Sequence, residues 1–139
     1  PVKGLGFIAS WMKVKQKSTD PSVVALGVPK DAYSLTAYYE HKGITFRISQ
    51  SFAKGTQTST LNQNGITQAA IFSDDYKQVD LSLAVALDSY FDIKGEPTLT
   101  FNVANLTEQT QRNYFQFQNA AFTQYTPARA YSLGLRMKF

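Results

Sequence analysis

The 139-residue chain contains no cysteine, a single histidine and no long apolar run. The absence of cysteine excludes disulfide bonds, thiolate metal sites and cysteine nucleophiles. It gives no information on whether the protein works in an oxidising or a reducing compartment. No run approaches the roughly 20 apolar residues of a transmembrane helix. The sequence also lacks a glycine-rich phosphate loop, a nucleophile elbow and metal-ligand spacing. We therefore expect neither an enzyme nor a bound cofactor or metal.

The residue types that perform catalysis are few. His41 stands beside Lys42 and Gly43 in a predicted tight turn, where a solvated role is the expected one. Asp74 and Asp75 are adjacent, so in an extended chain they point to opposite faces. This favours a loop or strand-entry role for them over a paired-carboxylate site.

Positive charge is modest and dispersed. The formal net charge is +4, and the 14 Lys and Arg residues are scattered along the chain. The densest group, Lys13, Lys15 and Lys17, alternates along a predicted strand end, where solvated or headgroup-facing lysines are expected. We therefore expect no nucleic-acid partner. The sequence opens on Pro1 without a secretory leader, which indicates that processing or truncation made this end.

Alternation of apolar and polar residues dominates the sequence. In the last segment Tyr131, Leu133 and Leu135 share one face of a predicted strand, while Ser132 and Gly134 share the other. Six segments follow this period of two: residues 5–15, 33–40, 44–52, 77–89, 98–105 and 130–139. The first is irregular, because apolar side chains occupy both faces. The fifth loses parity at Asn105, which predicts a bulge or a strand end there.

The connections between these segments alternate between long and short. Residues 41–43 and 90–97 form short turns, while 15–33, 53–76 and 108–129 form long, polar loops. Outer-membrane barrels place short turns on the periplasmic side and long loops outside, which predicts periplasmic chain ends. About ten residues at roughly 3.3 Å each, tilted by about 40°, span the apolar band of about 25 Å.

The predicted fold class is therefore all-β, an antiparallel meander of about six strands. Aromatic residues gather at the strand ends, as an interfacial girdle requires: Tyr33, Tyr39, Phe52, Tyr76, Tyr90, Phe91, Tyr131 and Phe139. Six strands are fewer than the about eight of the smallest membrane barrels. We therefore interpret residues 1–139 as a fragment of a larger transmembrane β-barrel.

The chain resembles the carboxyl-terminal part of TonB-dependent receptors, the plugged outer-membrane barrels of Gram-negative bacteria. The matching stretches are Gly4–Phe7, Tyr33–Glu40, Asp74–Asp80, Asn102–Glu108 and Tyr131–Phe139, in the family's order. The resemblance implies an outer-membrane location and outer-membrane lipid as a partner. The family's plug, its TonB box and roughly sixteen of about 22 strands have no counterpart here, so TonB would act only through the absent plug.

The terminal stretch resembles the signal that the barrel assembly machinery reads. Its residues are Tyr131, Leu133, Leu135, Met137 and Phe139. This signal is common to many outer-membrane proteins and indicates a barrel. The Asn105–Thr107 and Asp75–Tyr76 stretches support the narrower assignment to receptors.

Ligand contacts are predicted in the last long loop, where aromatic side chains alternate with amides that suit sugars or other neutral polar ligands. The candidate residues are Arg112, Tyr114, Phe115, Phe117, Phe122 and Tyr125. A folded-back surface loop is the competing interpretation. On the polar faces of the strands, the predicted lumen-facing charges are Arg47, Asp80, Arg136 and Lys138.

The sequence thus predicts a segment of an active transporter for a scarce nutrient, a carbohydrate or a siderophore-like ligand. The segment would supply barrel wall, extracellular loops and the assembly signal. Two alternatives remain open. One is a fragment of a passive porin-like channel; the other is a soluble β-sandwich module that binds carbohydrate.

Overall fold

A computed structural model describes residues 2–20, 23–60 and 70–138. These residues form two antiparallel sheets and contain no α-helix. The strands, in chain order, are β1 (Leu5–Lys13), β2 (Asp31–His41), β3 (Ile44–Ala53), β4 (Gln57–Ser59), β5 (Ile71–Ser73), β6 (Tyr76–Ala86), β7 (Thr98–Ala104), β8 (Gln111–Phe115), β9 (Ala121–Tyr125) and β10 (Ala130–Arg136).

The large sheet has six strands in the order β1-β2-β3-β6-β7-β10, and the loop sheet has four in the order β4-β5-β8-β9. The predicted all-β antiparallel class is confirmed. Each of the six predicted segments forms one strand of the large sheet. The four strands of the loop sheet lie inside connections that the sequence pattern treats as loops.

Three predicted strand ends differ from the structure. β1 stops at Lys13, and β10 stops at Arg136. β6 stops at Ala86 because the chain turns there into the 3₁₀ helix Leu87–Ser89. The Leu87 amide donates to the Pro97 carbonyl at 2.8 Å, which closes the β6–β7 connection instead of extending the strand.

The strand register places the apolar side chains of the large sheet on one face. Directly opposed residues of antiparallel strands lie on the same face. One row crosses all six strands: Leu5, Tyr39, Phe46, Leu83, Phe101 and Leu133. The next row along the strands is Phe7, Ala37, Ile48, Leu81, Val103 and Tyr131. We call this side the apolar face. The register also settles the facing of the irregular strand β1. Phe7 and Trp11 lie on the apolar face, whereas Ile8 and Met12 lie on the opposite face.

The apolar face is most exposed on the edge strands β1 and β10, whereas on the four inner strands most of its side chains are half-buried and Val103 is only 4% exposed. Phe7, Trp11 and Leu133 expose 72%, 69% and 73% of their surface. Among the described residues, the buried hydrophobic side chains are Ile71 and Val103. The large sheet is therefore a single layer, and the described residues do not build a core between two stacked sheets.

The opposite side, the polar face, carries side-chain hydrogen bonds across the strands. The row Arg47, Ser82, Asn102 and Ser132 spans four of them. The Ser82 hydroxyl donates to Asn102 Oδ1 at 2.7 Å, and Asn102 Nδ2 donates to Ser132 Oγ at 3.2 Å. At the edge, the ring of Tyr38 covers Gly6 so closely that a Cβ at residue 6 would lie 2.2 Å from the ring.

The two ends of the large sheet differ in the length of their connections. β2 and β3 join through Lys42 and Gly43, whose φ angles of 47° and 75° fit the two-residue turn with positive φ at both positions. The Gly43 carbonyl accepts from Ala86 at 2.7 Å, and Tyr90 donates to the Lys42 carbonyl at 2.6 Å. The short connections therefore pack together at one end, and the long connections leave from the other.

Candidate ligand-binding site in the long connections

The three long connections of the large sheet meet at one end of the molecule. β4 and β5 belong to the connection from β3 to β6, whereas β8 and β9 belong to the connection from β7 to β10. These two connections are joined because β5 pairs with β8, from Ile71 opposite Phe115 to Ser73 opposite Asn113. The connection from β1 to β2 joins them, because the Gly27 amide donates to the Gln57 carbonyl at 2.8 Å. Thr56 Oγ1 donates to the Val28 carbonyl at 3.1 Å.

Two adjoining clefts lie where these connections meet. The first, of about 400 Å³, is lined by the Gly27–Pro29 region, the end of β3, Thr110 and the first three residues of β8. The second, of about 450 Å³, is lined by Lys54, Gly55, Phe72, Ser73, Asp74, Asp75, Tyr114 and Gln118. Both volumes fall within the range of small-molecule sites. Lys54, Asp74 and Asp75 border both clefts, so we treat the two together as the loop cleft.

Arg112 and Asp74 join two of the connections. Arg112 Nε lies 2.5 Å from Asp74 Oδ2, and the two side chains are 28% and 29% exposed. The Asp74 amide also donates to the Arg112 carbonyl at 2.9 Å, and Arg112 Nη1 donates to the Gln118 carbonyl at 2.9 Å. The hydrogen bond to Asp74 raises the pKa of Arg112 above its ordinary value. Arg112 therefore stays charged and holds β8 against the β5–β6 link.

Asp75 has partners of its own. Its Oδ1 accepts from the Gly55 amide at 2.7 Å, and its Oδ2 lies 3.7 Å from Lys54 Nζ. The two adjacent carboxylates thus bind different groups, as the alternation of an extended chain requires. Each forms an ion pair with a cation of the same cleft, so the cleft carries both signs of charge.

The aromatic residues predicted for ligand contact fall into two groups. Tyr114 stacks on Phe72 with ring centroids 5.7 Å apart and planes 18° apart, and Arg112 lies 5.6 Å from the Tyr114 centroid. Phe115 instead packs on Phe122, with centroids 4.8 Å apart.

Alternation along β8 separates these groups. Tyr114 shares a side of the loop sheet with Arg112, whereas Phe115 lies on the other side, opposite the buried Ile71. Phe117 and Tyr125 are 69% and 65% exposed, and Tyr125 is opposed to Gln111, on the side away from Tyr114. The structure therefore brings Arg112 and Tyr114 to the loop cleft and places Phe115, Phe122 and Tyr125 elsewhere.

Asn105 anchors the last long connection to the large sheet. Its φ of 56° ends β7, in agreement with the predicted loss of parity, and it is only 6% exposed. Its amide donates to Asp80 Oδ1 at 2.9 Å, and its side chain donates to the Pro127 carbonyl at 2.8 Å. The Gln109 amide donates to Asn105 Oδ1 at 2.8 Å. One residue thus joins β6, β7 and both ends of the connection.

The predicted lumen-facing charges lie in different settings. Arg47 and Asp80 lie on the polar face, opposed to Ser82 and Ser49, and Arg136 ends β10 opposite Thr98. Asp80 accepts hydrogen bonds from Gln78 at 2.7 Å and from Asn105. Lys138 follows β10 and binds the short β6–β7 connection, with its Nζ 2.5 Å from Glu96 Oε2 and its amide 2.7 Å from the Gly95 carbonyl.

The predicted assembly-signal residues share an exposed side of the last strand. Tyr131, Leu133 and Leu135 belong to the apolar face and are 62%, 73% and 62% exposed. Met137 follows β10 and is 39% exposed. Phe139 lies outside the described residues.

Comparisons with protein-family models, with curated proteins and with solved structures find no match for this chain. No helix within residues 2–20, 23–60 and 70–138 is long and apolar enough to cross a membrane. The same residues contain no group of three or more His, Asp or Glu side chains that could hold a metal ion.

Most residues of the cleft are missing from the sequence-based ligand candidates, Lys54 and Phe72 among them. Phe72 belongs to β5, a strand of three residues, which is too short for a period of two to be distinguished from chance. Lys54 immediately follows β3. β8 shows no period of two either, because its first three residues are all polar and its last two, Tyr114 and Phe115, are both aromatic.

The ion pair between Glu96 and Lys138 predicts a pH-dependent contact. The hydrogen bond and the charge of Lys138 lower the pKa of Glu96 below 4.5, and Arg136 contributes less. The contribution of the pair to stability is therefore fully present above pH 4.5 and is lost as the pH falls through the lowered pKa. We expect Lys138→Met to raise the pKa of Glu96 towards 4.5, measured by NMR titration of its labelled carboxyl carbon.

Arg136→Met is the matched control, because it removes a neighbouring cation that forms no hydrogen bond with Glu96. It should raise this pKa less than Lys138→Met does. An unchanged pKa in the Lys138 variant would contradict the contact.

Proposed function

We propose that this chain is the carboxyl-terminal part of a TonB-dependent outer-membrane receptor, which takes up a scarce nutrient such as a carbohydrate or a siderophore-like ligand. The chain contributes barrel wall, extracellular loops and the signal read by the assembly machinery. The observation that carries this proposal is the apolar face, which crosses all six strands of the large sheet, has no second layer packed on it and is most exposed on β1 and β10. Hydrocarbon lipid is the natural neighbour of such a face.

The order of residues along the apolar face supports a membrane setting. Towards the long connections, Trp11, Tyr33 and Phe52 lie side by side in one row that Lys77 extends. Tyr33 and Phe52 stack at 4.8 Å, and Lys13 Nζ lies 5.8 Å from the Trp11 ring. Aromatic rings followed by lysines suit the boundary between hydrocarbon and headgroups. Within the described chain, β1 and β10 each pair on one side, which fits a sheet continued by further strands.

The soluble sandwich receives no comparable support, because its apolar side chains require a second sheet stacked on the first. The loop sheet is built from the long connections and leaves the apolar face exposed. A porin-like channel would have the same kind of barrel wall, so the sheet alone does not distinguish it from a receptor. The remainder of the gene does. We expect the coding sequence upstream of Pro1 to encode a plug domain and a TonB box; a barrel without either would favour the passive channel.

The single tryptophan tests which side of the sheet meets lipid. With the full-length protein reconstituted in phosphatidylcholine vesicles, and its other tryptophans replaced by phenylalanine, we expect lipids brominated on the acyl chains to quench the fluorescence of Trp11, which lies on the apolar face. The control carries Ser10→Trp together with Trp11→Phe, which moves the indole to the polar face one residue away. Equal quenching of the two proteins, with the same β-sheet circular dichroism, would contradict the proposed orientation.

Arginine substitutions in β10 test the same orientation energetically. Leu133→Arg places a charge in lipid and should lower the free energy of unfolding by about 2–4 kcal/mol. Ser132→Arg places the charge on the hydrated polar face and should cost clearly less. Urea titration of the reconstituted full-length protein, followed by circular dichroism, measures both. If the two variants lost the same free energy of unfolding, the assignment of the apolar face to lipid would be contradicted.

A further inference from the structure

The balance of charge in the loop cleft restricts the ligand that it suits. Its two cations, Lys54 and Arg112, each lie beside a carboxylate, Asp75 and Asp74 respectively. Because the charges cancel in pairs at these distances, the four groups present no net positive field to a multiply charged anion. They do present carboxylate oxygens and N–H groups as acceptors and donors. This pattern favours an uncharged polar ligand over an anionic one.

An aromatic surface adjoins these polar groups. Phe72 and Tyr114 stack with their planes 18° apart, and both line the larger cleft together with Asp75 and Gln118. Their rings occupy one side of the loop sheet, because Phe72 and Tyr114 are directly opposed in the β5–β8 pair. Phe115 is on the other side, where it packs on Phe122. The cleft therefore has an apolar wall with a polar rim.

Some of the polar rim already has partners. Ser73 Oγ accepts from the Thr56 amide at 3.1 Å and donates to the Thr56 carbonyl at 3.3 Å, so its hydroxyl proton is used. Asp75 Oδ2 lies 3.7 Å from Lys54 Nζ, a distance beyond a direct hydrogen bond. This oxygen retains the capacity to accept from a ligand hydroxyl, and the side-chain amide of Gln118 offers both a donor and an acceptor.

We propose that the loop cleft binds a neutral sugar, with one C–H face of the sugar ring against the edge of the Tyr114–Phe72 stack and its hydroxyls directed to Asp75 and Gln118. A pyranose ring combines an apolar face with a polar edge, which matches this wall and rim. The inference rests on the proposed function, because it names the substrate class of the long connections that the transporter displays outside. It selects the carbohydrate and sets aside an anionic siderophore.

The test uses the full-length protein in detergent micelles on an array of neutral oligosaccharides, with ferric siderophores assayed in parallel. We expect a neutral glycan to bind and the siderophores not to bind. Titration of that glycan should show that Tyr114→Ala weakens binding by about tenfold or more. Tyr114→Phe keeps the ring and should retain the affinity. Tyr125→Ala, which removes an exposed tyrosine from the other side of the loop sheet, is the matched control and should also retain it.

The outcomes separate this inference from the transport proposal. If no neutral glycan binds while brominated lipid still quenches Trp11, the sugar site is wrong and the membrane wall stands. If a glycan binds but Trp11 is not quenched, the sugar site stands and the membrane wall is wrong. Binding that Tyr114→Ala and Tyr125→Ala weaken equally would overturn the location of the site, and binding of siderophores alone would overturn the ligand class.

Discussion

The strand register of the large sheet is the constraint on which the rest of the structure depends. Five successive antiparallel pairings run without a bulge from β1 to β10, so one row of opposed residues reaches from Leu5 to Leu133. A slip of one residue in any pair would move that strand's apolar set to the polar face. Covering a large apolar side chain is worth about 1.5–3 kcal/mol. A face that leaves a whole series of them uncovered therefore requires a neighbour, which in our proposal is lipid.

The polar face depends on the same register. Ser82, Asn102 and Ser132 can form a hydrogen-bonded chain because the pairings place them side by side. The Tyr76 hydroxyl contacts Gln78, which donates to Asp80, so a second chain follows one strand. These bonds satisfy the side chains within the sheet. A face of this kind suits water or another polar surface, and the two faces together give the sheet the asymmetry that a barrel wall requires.

The large sheet was predictable from the sequence, and the loop sheet was not. The six long strands carry seven to eleven residues each, which is enough for the period of two to stand out. β4, β5, β8 and β9 have three to five residues, and their pairing depends on contacts between distant parts of the chain. Arg112 and Asp74, for example, are 38 residues apart. Nothing in the local pattern of either residue identifies the other as its partner.

The same reasoning explains why two of the six candidate ligand residues, Arg112 and Tyr114, line the loop cleft and the other four do not. The composition of the last long connection indicated aromatic and amide side chains. It did not indicate which side of the loop sheet each of them faces. The alternation of β8 decides the facing of the aromatic side chains: Tyr114 lies on the side of the loop sheet that Arg112 shares, and Phe115 lies on the other side. The stacking partner of Tyr114 came from a different connection. A ligand surface shared between two loops is therefore visible only after the loops are paired.

The position of the loop cleft is set by the large sheet rather than by the loops alone. The amide of Lys54 donates to the Asp31 carbonyl at 2.9 Å, and that of Leu106 donates to the Val79 carbonyl at 2.8 Å, so both connections leave the sheet through fixed backbone contacts. Asn105 adds side-chain bonds to the far end of the last connection. The aromatic wall and the paired charges are thus held by groups that do not themselves face the cleft. Substitutions at Tyr114 or Gln118 should therefore alter the cleft without disturbing the register of the large sheet below them.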